Sequence, residues 1–261
     1  MPTRSGTVSA SGGTALRSFS FPGPRRACRG GGARGPVAAG LVLGMLAGGC
    51  APPLNELPAA SGGAPELLAV FDMSRREPDL SPQPRRRFYL WRERHRIVYA
   101  TRGAPTVRMW RRHVGDDISY LEAWPDRRIA VEYVPGDLRA LGASPDWGDL
   151  QGLVERKLLG TALRLRDTGS DRGVRVARYS GSTRGTDLEV TWIPSLRLAA
   201  ELEERRDGVT TRLTLRQIYG LDDAPWRPPD LRAFRSVDFA DLGDAPPGLV
   251  PRPAGPHGAH E

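Results

Sequence analysis

Residues 115–133 read GDDISYLEAWPDRRIAVEY. In a first run Ile118, Tyr120, Glu122 and Trp124 fall on one face, and in a second run Ile129, Val131 and Tyr133 alternate with Ala130 and Glu132; turn residues lie before and between the two runs. Alternation with a period of two, bounded by Gly, Pro and Asp, is typical of half-buried β-strands joined by short turns. The stretch therefore predicts two neighbouring strands of an antiparallel sheet.

The same pattern continues on both sides of this stretch. Strand-like runs occupy 88–91, 97–99, 107–112, 163–165, 174–176, 188–192, 196–202 and 209–215, and a final strand is expected within 234–239. Asp207-Gly208 between two alternating runs is a strong hairpin signal. Residues 66–73 are interpreted as a short helix. The sequence thus predicts a mainly β (α+β) fold built as an antiparallel meander.

One longer helix is predicted between the two groups of strands. Ser144 is a plausible N-cap, and Pro145 suits the first helical position. Apolar residues then recur at helical spacing, namely Trp147, Leu150, Leu153, Val154 and Leu158. The pattern predicts about four helical turns over 145–159, ended by Gly160.

Residues 1–49 resemble a bacterial export signal. This segment contains six arginines and no acidic residue, and its apolar run at 36–49 is too short to span a bilayer. Ala47, Gly48 and Gly49 precede Cys50 in a pattern similar to a lipobox, with Ala47 in place of the usual leucine. We expect Cys50 to be the acylated first residue of the mature chain, and its covalent lipid to be the one prosthetic group; the alternative is an uncleaved or unstructured arm with an incidental thiol.

Charge and cysteine content limit the function classes. The chain has a net charge of +8, but without the leader 32 basic and 30 acidic side chains remain, which removes the argument for nucleic acid. The remaining basic residues are concentrated in 85–128, which hold twelve arginines and five acids. This basic half either attracts anionic headgroups or is a solvated surface. Cys28 lies in the leader, so no disulfide is expected in the mature chain.

Four regions are expected along the chain. Residues 1–49 form the signal peptide, 50–65 a flexible tether rich in Ala, Pro, Ser and Gly, 66–244 a single domain, and 245–261 a disordered tail.

No catalytic or metal-binding constellation is present in the sequence. His95 and His113 would approach each other across a hairpin, but two histidines without a third ligand are weak support for zinc. The chain has no Gly-x-Ser-x-Gly elbow and no phosphate-binding glycine loop. We therefore predict a protein that is not an enzyme and holds no metal.

A binding role rests on aromatic residues in the predicted strands. Five of them would line one concave apolar face of a bent sheet, and they are the candidate ligand-binding residues: Trp91, Trp110, Trp124, Tyr133 and Trp192. An aromatic hollow suits acyl chains or apolar peptide segments. The alternative is that the helix at 145–159 fills this hollow as an ordinary core.

The order of strands, helix and strands resembles the bacterial lipoprotein-carrier superfamily, which includes LolA, LolB and RseB. The local likeness lies in 192–198, which read WIPSLRL, and in the turn and strand at 115–120; Ala199 replaces a second proline of the pattern. Over 87–218 the resemblance implies a strongly curved antiparallel sheet, or unclosed barrel, with one or two covering helices.

Two functions follow as expectations. In the first, a lipid-anchored envelope protein binds a lipid or lipoprotein acyl chain in the concave hollow, as carrier, receptor or sensor. In the second, it has a filled core and acts through an envelope protein partner. Ala51 after the cysteine is similar to an outer-membrane address, so we expect the protein at the outer membrane, facing the periplasm.

Overall fold

The computed structural model describes residues 63–78, 80–81 and 83–243. These form twelve strands, two short α-helices and several 3-10 turns. The strands are β1 (Leu67–Arg76), β2 (Arg86–Arg92), β3 (Arg96–Thr101), β4 (Val107–Arg112), β5 (Ile118–Trp124), β6 (Ile129–Tyr133), β7 (Leu163–Asp171), β8 (Val174–Thr183), β9 (Thr186–Ile193), β10 (Leu198–Arg206), β11 (Val209–Tyr219) and β12 (Arg235–Asp238). The helices are α1 (Pro135–Ala140) and α2 (Trp147–Gly152).

All twelve strands belong to one sheet. Its order is β12-β6-β5-β4-β3-β2-β1-β11-β10-β9-β8-β7, so β12 and β7 are its edges and the sheet does not close. Every pairing is antiparallel except that of β12 with β6, which is parallel. The predicted mainly β fold with an unclosed antiparallel sheet and short helices is confirmed.

The sheet is strongly curved. Tyr99 on β3 donates a hydrogen bond to the carbonyl of Leu150 in α2, while the Cα of Gly152 in the same helix lies against Trp192 on β9. Five strand spacings separate β3 from β9, which is about 24 Å in a flat sheet. Side chains from both strands reach neighbouring residues of one six-residue helix because the sheet bends around it.

Tight two-residue turns join the long strands of the second half. Asp207 and Gly208 have φ values of 50° and 77°, the left-handed pair that a type I′ hairpin requires, and they connect β10 to β11. The hairpin predicted from Asp207-Gly208 is confirmed.

Residues 66–73 are not a helix. Residues 67–73 belong to β1, which lies in the interior of the sheet between β2 and β11. The first five side chains of β1 are all buried, because this strand is covered on both faces. A continuous apolar run does not distinguish a strand buried on both faces from a buried helix, which is why the prediction was wrong.

The helix predicted over 145–159 is also wrong in its bounds. Its N-cap is Asp146, whose carboxylate accepts from the backbone N–H of Asp149, and the helix ends at Gly152 because Leu153 takes a left-handed φ of 65°. The carboxylate of Asp149 accepts from the N–H of Arg156, which favours a turn there over a further helical turn. Residues 156–158 form a separate 3-10 turn.

The main core lies on one face of the sheet, which we call the first face. Residues 134–162 cross this face and contain α1 and α2, and we call them the cap. Buried side chains of the cap, such as Leu138, Trp147 and Leu150, pack against strand residues from β1 to β11. The bent sheet and the cap thus enclose one continuous apolar cluster.

The opposite, second face carries a smaller core. Alternate side chains of β1 to β6 are buried there, among them Val98, Met109 and Leu121. Residues 220–234, which we call the strap, cross this face, and Trp226, Leu231 and Phe234 pack onto it. Because β1 to β6 are apolar on both faces, both faces need a cover, and the chain supplies the cap to one and the strap to the other.

Candidate functional site: a cleft beneath the strap

The strap is fixed near its middle by aromatic stacking. The ring of Trp226 stacks on Tyr89 with centroids 4.9 Å apart and 13° between the planes, and it meets Trp91 edge-on at 6.4 Å. Offset stacking and edge contacts of this kind each contribute about 0.5–1.5 kcal/mol beyond area burial. The guanidinium of Arg227 donates to the carbonyls of Leu221 and Asp222, which closes the loop behind Trp226.

Beyond this anchor, a cleft of about 740 Å³ lies between the strap and the sheet, and we call it the strap cleft. Its floor is the apolar second face, formed by Trp91, Met109, Leu121 and Ala130 from four strands. Its wall is formed by residues 227–232 of the strap with Phe234 and Ser236. The volume falls in the usual range for ligand sites, about 300–1,000 Å³.

Charged side chains of both signs surround the apolar floor. Three acids and four arginines line the cleft, namely Glu93, Glu132, Asp230, Arg96, Arg111, Arg227 and Arg232. Arg96 pairs with Glu93, and the indole N–H of Trp91 donates to the same carboxylate over 2.8 Å. Burial alone would raise the pKa of Glu93, but these hydrogen bonds outweigh it and hold the pKa below its ordinary value. Glu93 is therefore ionised at neutral pH.

This arrangement is suited to binding. An apolar floor with aromatic side chains contributes desolvation free energy, and a rim of mixed charges aligns a polar backbone or charged flanks. No group of three His, Cys, Asp or Glu side chains comes together as a metal site in the described residues. Of the two histidines considered for zinc, His113 forms a hydrogen bond of 2.8 Å with Ser119 through Nε2.

The predicted aromatic set is divided between the two faces. Trp110, Trp124, Tyr133 and Trp192 lie in the first-face core, with exposed fractions of 5%, 4%, 0% and 7%. The prediction that Trp91 shares their face is wrong, because Trp91 follows Leu90 on β2 and therefore points to the second face, into the strap cleft. The four first-face residues pack as an ordinary core.

Three polar atoms in the first-face core have no hydrogen-bond partner among the described residues. They are the hydroxyls of Tyr120 and Tyr133 and the indole N–H of Trp147. Trp110, Tyr120, Tyr133 and Phe239 form a continuous row of ring contacts, with centroids 4.5–5.2 Å apart. Burial strongly raises the pKa of the Tyr120 and Tyr133 hydroxyls. The interface between cap and sheet is therefore well packed but incompletely hydrogen-bonded.

Several predicted features lie outside the described residues: the signal peptide, Cys50, the tether up to residue 62 and the tail from 244 onward. Within the described residues, no helix has the length and apolar character needed to cross a membrane.

Comparisons with known proteins give likenesses of structure alone. No protein-family model matches the chain, and no curated protein matches it. Among solved structures, PNGF-II matches with a TM-score of 0.36 and 10% identity over 68% of this chain, which spans only 32% of the PNGF-II chain.

Two further matches belong to the expected superfamily. A LolA superfamily protein from Nitrosomonas europaea has a TM-score of 0.30 and 8% identity, covering 61% of this chain and 87% of its own. MucB in complex with MucA has a TM-score of 0.32 and 12% identity, and the match covers 70% of this chain and 59% of the matched chain. The resemblance to LolA-like proteins seen in the sequence is thus met again among solved structures. With TM-scores below 0.5, these likenesses carry no part of the functional proposal.

Of the residues that build the cleft, only Trp91 is a candidate from the sequence. Trp226, Met109 and Leu121 form its anchor and floor. The sequence does indicate that this sheet needs a second cover. Residues 118–124 read ISYLEAW, with apolar side chains at both odd and even positions, so both faces of this strand are apolar. A strand that is apolar on both sides requires a second cover, and the apolar residues of 219–234 are the candidates for it.

Proposed function

We propose that this protein is a non-enzymatic, lipid-anchored protein of the bacterial cell envelope that binds an extended apolar segment of a protein partner in the strap cleft. The observation that carries the proposal is the contrast between the two faces. The hollow expected on the first face is filled by buried aromatic side chains, whereas the second face keeps a cleft of about 740 Å³ over an apolar floor.

The lining of the cleft favours a peptide over an acyl chain. An acyl chain has no hydrogen-bonding groups along its length, so seven charged side chains around the floor would be desolvated without compensation. A peptide segment offers amides, and side chains of either charge, to the same rim. Trp91, Met109 and Arg111 are also of the residue types enriched in protein interfaces.

Anchoring through Cys50 is the second part of the proposal. Its support is the apolar run and small residues before Cys50, and two or more acyl chains give stable membrane attachment. The expected location is the periplasmic side of the outer membrane. A Cys50→Ser variant should leave the membrane fraction after a high-salt wash, and a variant that stayed there would contradict the anchor.

The cleft is tested by site-specific photo-crosslinking in intact cells. A photoreactive amino acid at Ser236, an exposed residue of the cleft wall, should give an adduct with one envelope protein, and the same amino acid at Ser170, exposed on β7, should not. Ser236→Trp, which fills the cleft from its wall, should abolish formation of the complex with the partner without changing the unfolding midpoint of this protein. Equal adducts from both positions would overturn the assignment of the cleft.

A second candidate is acyl-lipid binding on the first face, and the unpaired polar atoms beneath the cap favour it. If the cap opens, Trp110, Trp124 and Trp192 become the lining of a hollow. Addition of a bromine-labelled fatty acid should then quench the fluorescence of these tryptophans, and Trp192→Phe should remove part of the quenching. Quenching confined to Trp91 and Trp226, on the other face, would exclude this candidate.

A further inference from the structure

Strands β1 to β6 run between two ends of the sheet, and the chain enters β1 at one of these ends. Pro65 enters β1 at one end, which β1 shares with the turns at 93–95 and 113–117, and we call this the tether end. The connections at 77–85, 102–106 and 125–128 lie at the opposite ends of the same six strands. We call this the far end.

Among strands β1 to β6 and their connections, exposed arginines are concentrated at the far end. Six of them, which we call the far-end arginines, are Arg76, Arg85, Arg86, Arg102, Arg127 and Arg128. No hydrogen bond or ion pair joins their guanidinium groups to any side chain that the structure describes. Among the nearby acids, Asp72 pairs with Arg87 and Arg216, and Glu77 pairs with Arg75. Asp126, which directly precedes Arg127 and Arg128, forms no ion pair among the described residues and offsets part of the far-end charge.

At the tether end two arginines are paired, and Arg94 is exposed. Arg96 binds Glu93 and Arg112 binds Asp116, so much of the positive charge there is compensated. The basic half that the sequence shows at 85–128 is thus separated by the fold into a compensated end and an uncompensated end. The uncompensated arginines extend across six neighbouring strands, or about 24 Å.

An exposed leucine lies among these arginines. Leu80, in the loop between β1 and β2, is 57% exposed and is one of the few large apolar side chains on the described surface. In the chain it follows Glu77 and Asp79, and arginines stand further out on both sides, at 75–76 and 85–87. An exposed apolar side chain on a basic surface is suited to entering the headgroup layer of a membrane.

We infer that the far end is a docking surface for a membrane that carries anionic phospholipids. Arginine binds phosphate through two parallel N–H groups, and Leu80 would enter the acyl boundary between the headgroups. An acidic protein or a phosphate polymer would use the arginines but offers no apolar layer for Leu80. The inference is independent of the strap cleft, which lies on the second face.

The length of the tether is compatible with docking on the membrane that holds the anchor. Fifteen residues separate Cys50 from Glu66, and they span at most about 50 Å when extended. The longest strand, β11, has 11 residues and is about 36 Å long. The far end can therefore reach the same membrane from a chain anchored at Cys50.

The test uses the chain from residue 50 onward with Cys50→Ser, so that neither acyl chains nor the six arginines of residues 1–49 contribute, and sedimentation with vesicles of phosphatidylglycerol or of phosphatidylcholine. The protein should bind the anionic vesicles, and 0.5 M salt should release it. The far-end triple variant Arg85→Gln/Arg86→Gln/Arg102→Gln should lower the partition coefficient on the order of a hundredfold, since each basic residue contributes about fivefold. Leu80→Ser should lower it about tenfold.

A matched control separates the far end from net charge alone. Arg94→Gln/Arg139→Gln/Arg175→Gln removes the same charge from exposed positions outside the far end and should leave the partition coefficient within about twofold of the parent. Equal losses in the two triple variants, or no binding to phosphatidylglycerol, would overturn the inference. A third outcome would also overturn the inference: Leu80→Ser leaves vesicle binding unchanged, and inorganic polyphosphate displaces the protein from the vesicles. That result would assign the surface to a phosphate polymer.

Discussion

The guanidinium of Arg92 donates a hydrogen bond to the backbone carbonyl of Gln151, with Nη1 and O 2.8 Å apart. Arg92 is completely buried, and its other hydrogen bonds among the described residues also go to backbone carbonyls, those of Pro65, Leu196 and Arg197. One side chain of β2 thereby joins the end of α2, the turn before β10 and Pro65, which leads into β1. Burial lowers the pKa of Arg92 to about 10, which leaves it charged at neutral pH.

Replacement of Arg92 by methionine should destabilise the domain by about 3 kcal/mol or more, because buried carbonyls of three segments lose their donor. Arg92→Lys should rescue little of this loss, since one ammonium group cannot reach the carbonyls that the planar guanidinium spans. Denaturant unfolding measures the effect. Arg94→Met, at an exposed neighbouring position, is the control and should change the free energy of unfolding by less than about 0.5 kcal/mol.

Tyr120→Phe should stabilise the protein by about 1 kcal/mol, because it removes a buried hydroxyl that has no partner among the described residues. Tyr99→Phe should have the opposite sign, since the Tyr99 hydroxyl donates to the carbonyl of Leu150 and its loss leaves that carbonyl unpaired. Thermal unfolding of the two variants compares them directly. A loss of stability in Tyr120→Phe would instead indicate a water molecule or ligand on that hydroxyl.

Alkaline pH should destabilise the fold. Burial raises the pKa of Tyr99, Tyr120 and Tyr133 above the ordinary value, so above pH 10 the native state binds more protons than the unfolded state. The free energy of unfolding therefore falls as pH rises from about 10. Arg92, whose pKa is lowered, acts in the opposite direction, which leaves a net slope of up to about 3 kcal/mol per pH unit. Denaturant curves from pH 8 to 11.5 test this, and stability that rises above pH 10 would contradict it.

Gly152→Ala should destabilise the domain by about 1–3 kcal/mol. A Cβ there would lie 2.6 Å from the ring of Trp192 and 3.1 Å from the carbonyl oxygen of Arg197, so α2 would have to move away from β9. Gly136→Ala is the matched control, since its Cβ meets nothing within 4 Å and alanine favours the helix. Gly136→Ala should be neutral or slightly stabilising, and equal effects of the two substitutions would refute this packing of α2 against β9.

Trp226→Ala should release the strap while leaving the rest of the sheet folded. The stacking on Tyr89 and Trp91 is lost, and the strap should become open to trypsin at Arg232. The expected cleavage rate rises by about tenfold or more, as for a loss of about 1.5 kcal/mol of local stability. Trp147→Ala, in the cap, should leave cleavage at Arg232 near the wild-type rate if that variant folds.

The sequence predicted much of the sheet and little of the site. Strands β2 to β6 follow from alternation between turn residues, and the hairpin at Asp207-Gly208 follows from turn chemistry, because both signals are local. The positions of Trp91 and Trp110 on opposite faces depend on the register between strands, which alternation within each strand does not supply. The cleft depends on Trp226 meeting Tyr89, a contact between residues 137 positions apart.

The errors have related causes. A strand covered on both faces shows no alternation, so the apolar run at 66–73 predicts a helix as readily as a strand. Apolar spacing predicts a helix over 145–159, but the left-handed conformation of Leu153 ends it at Gly152, and the carboxylate of Asp149 accepts from the N–H of Arg156.

The central claim is that binding takes place in the strap cleft while the first-face hollow stays filled. Native mass spectrometry of the protein, extracted gently from the envelope, tests it most directly. The account predicts a complex of this chain with one further polypeptide and no non-covalent lipid, lost in Ser236→Trp and retained in Ser170→Trp. A chain that carries stoichiometric phospholipid and no polypeptide, unchanged by Ser236→Trp, would contradict it.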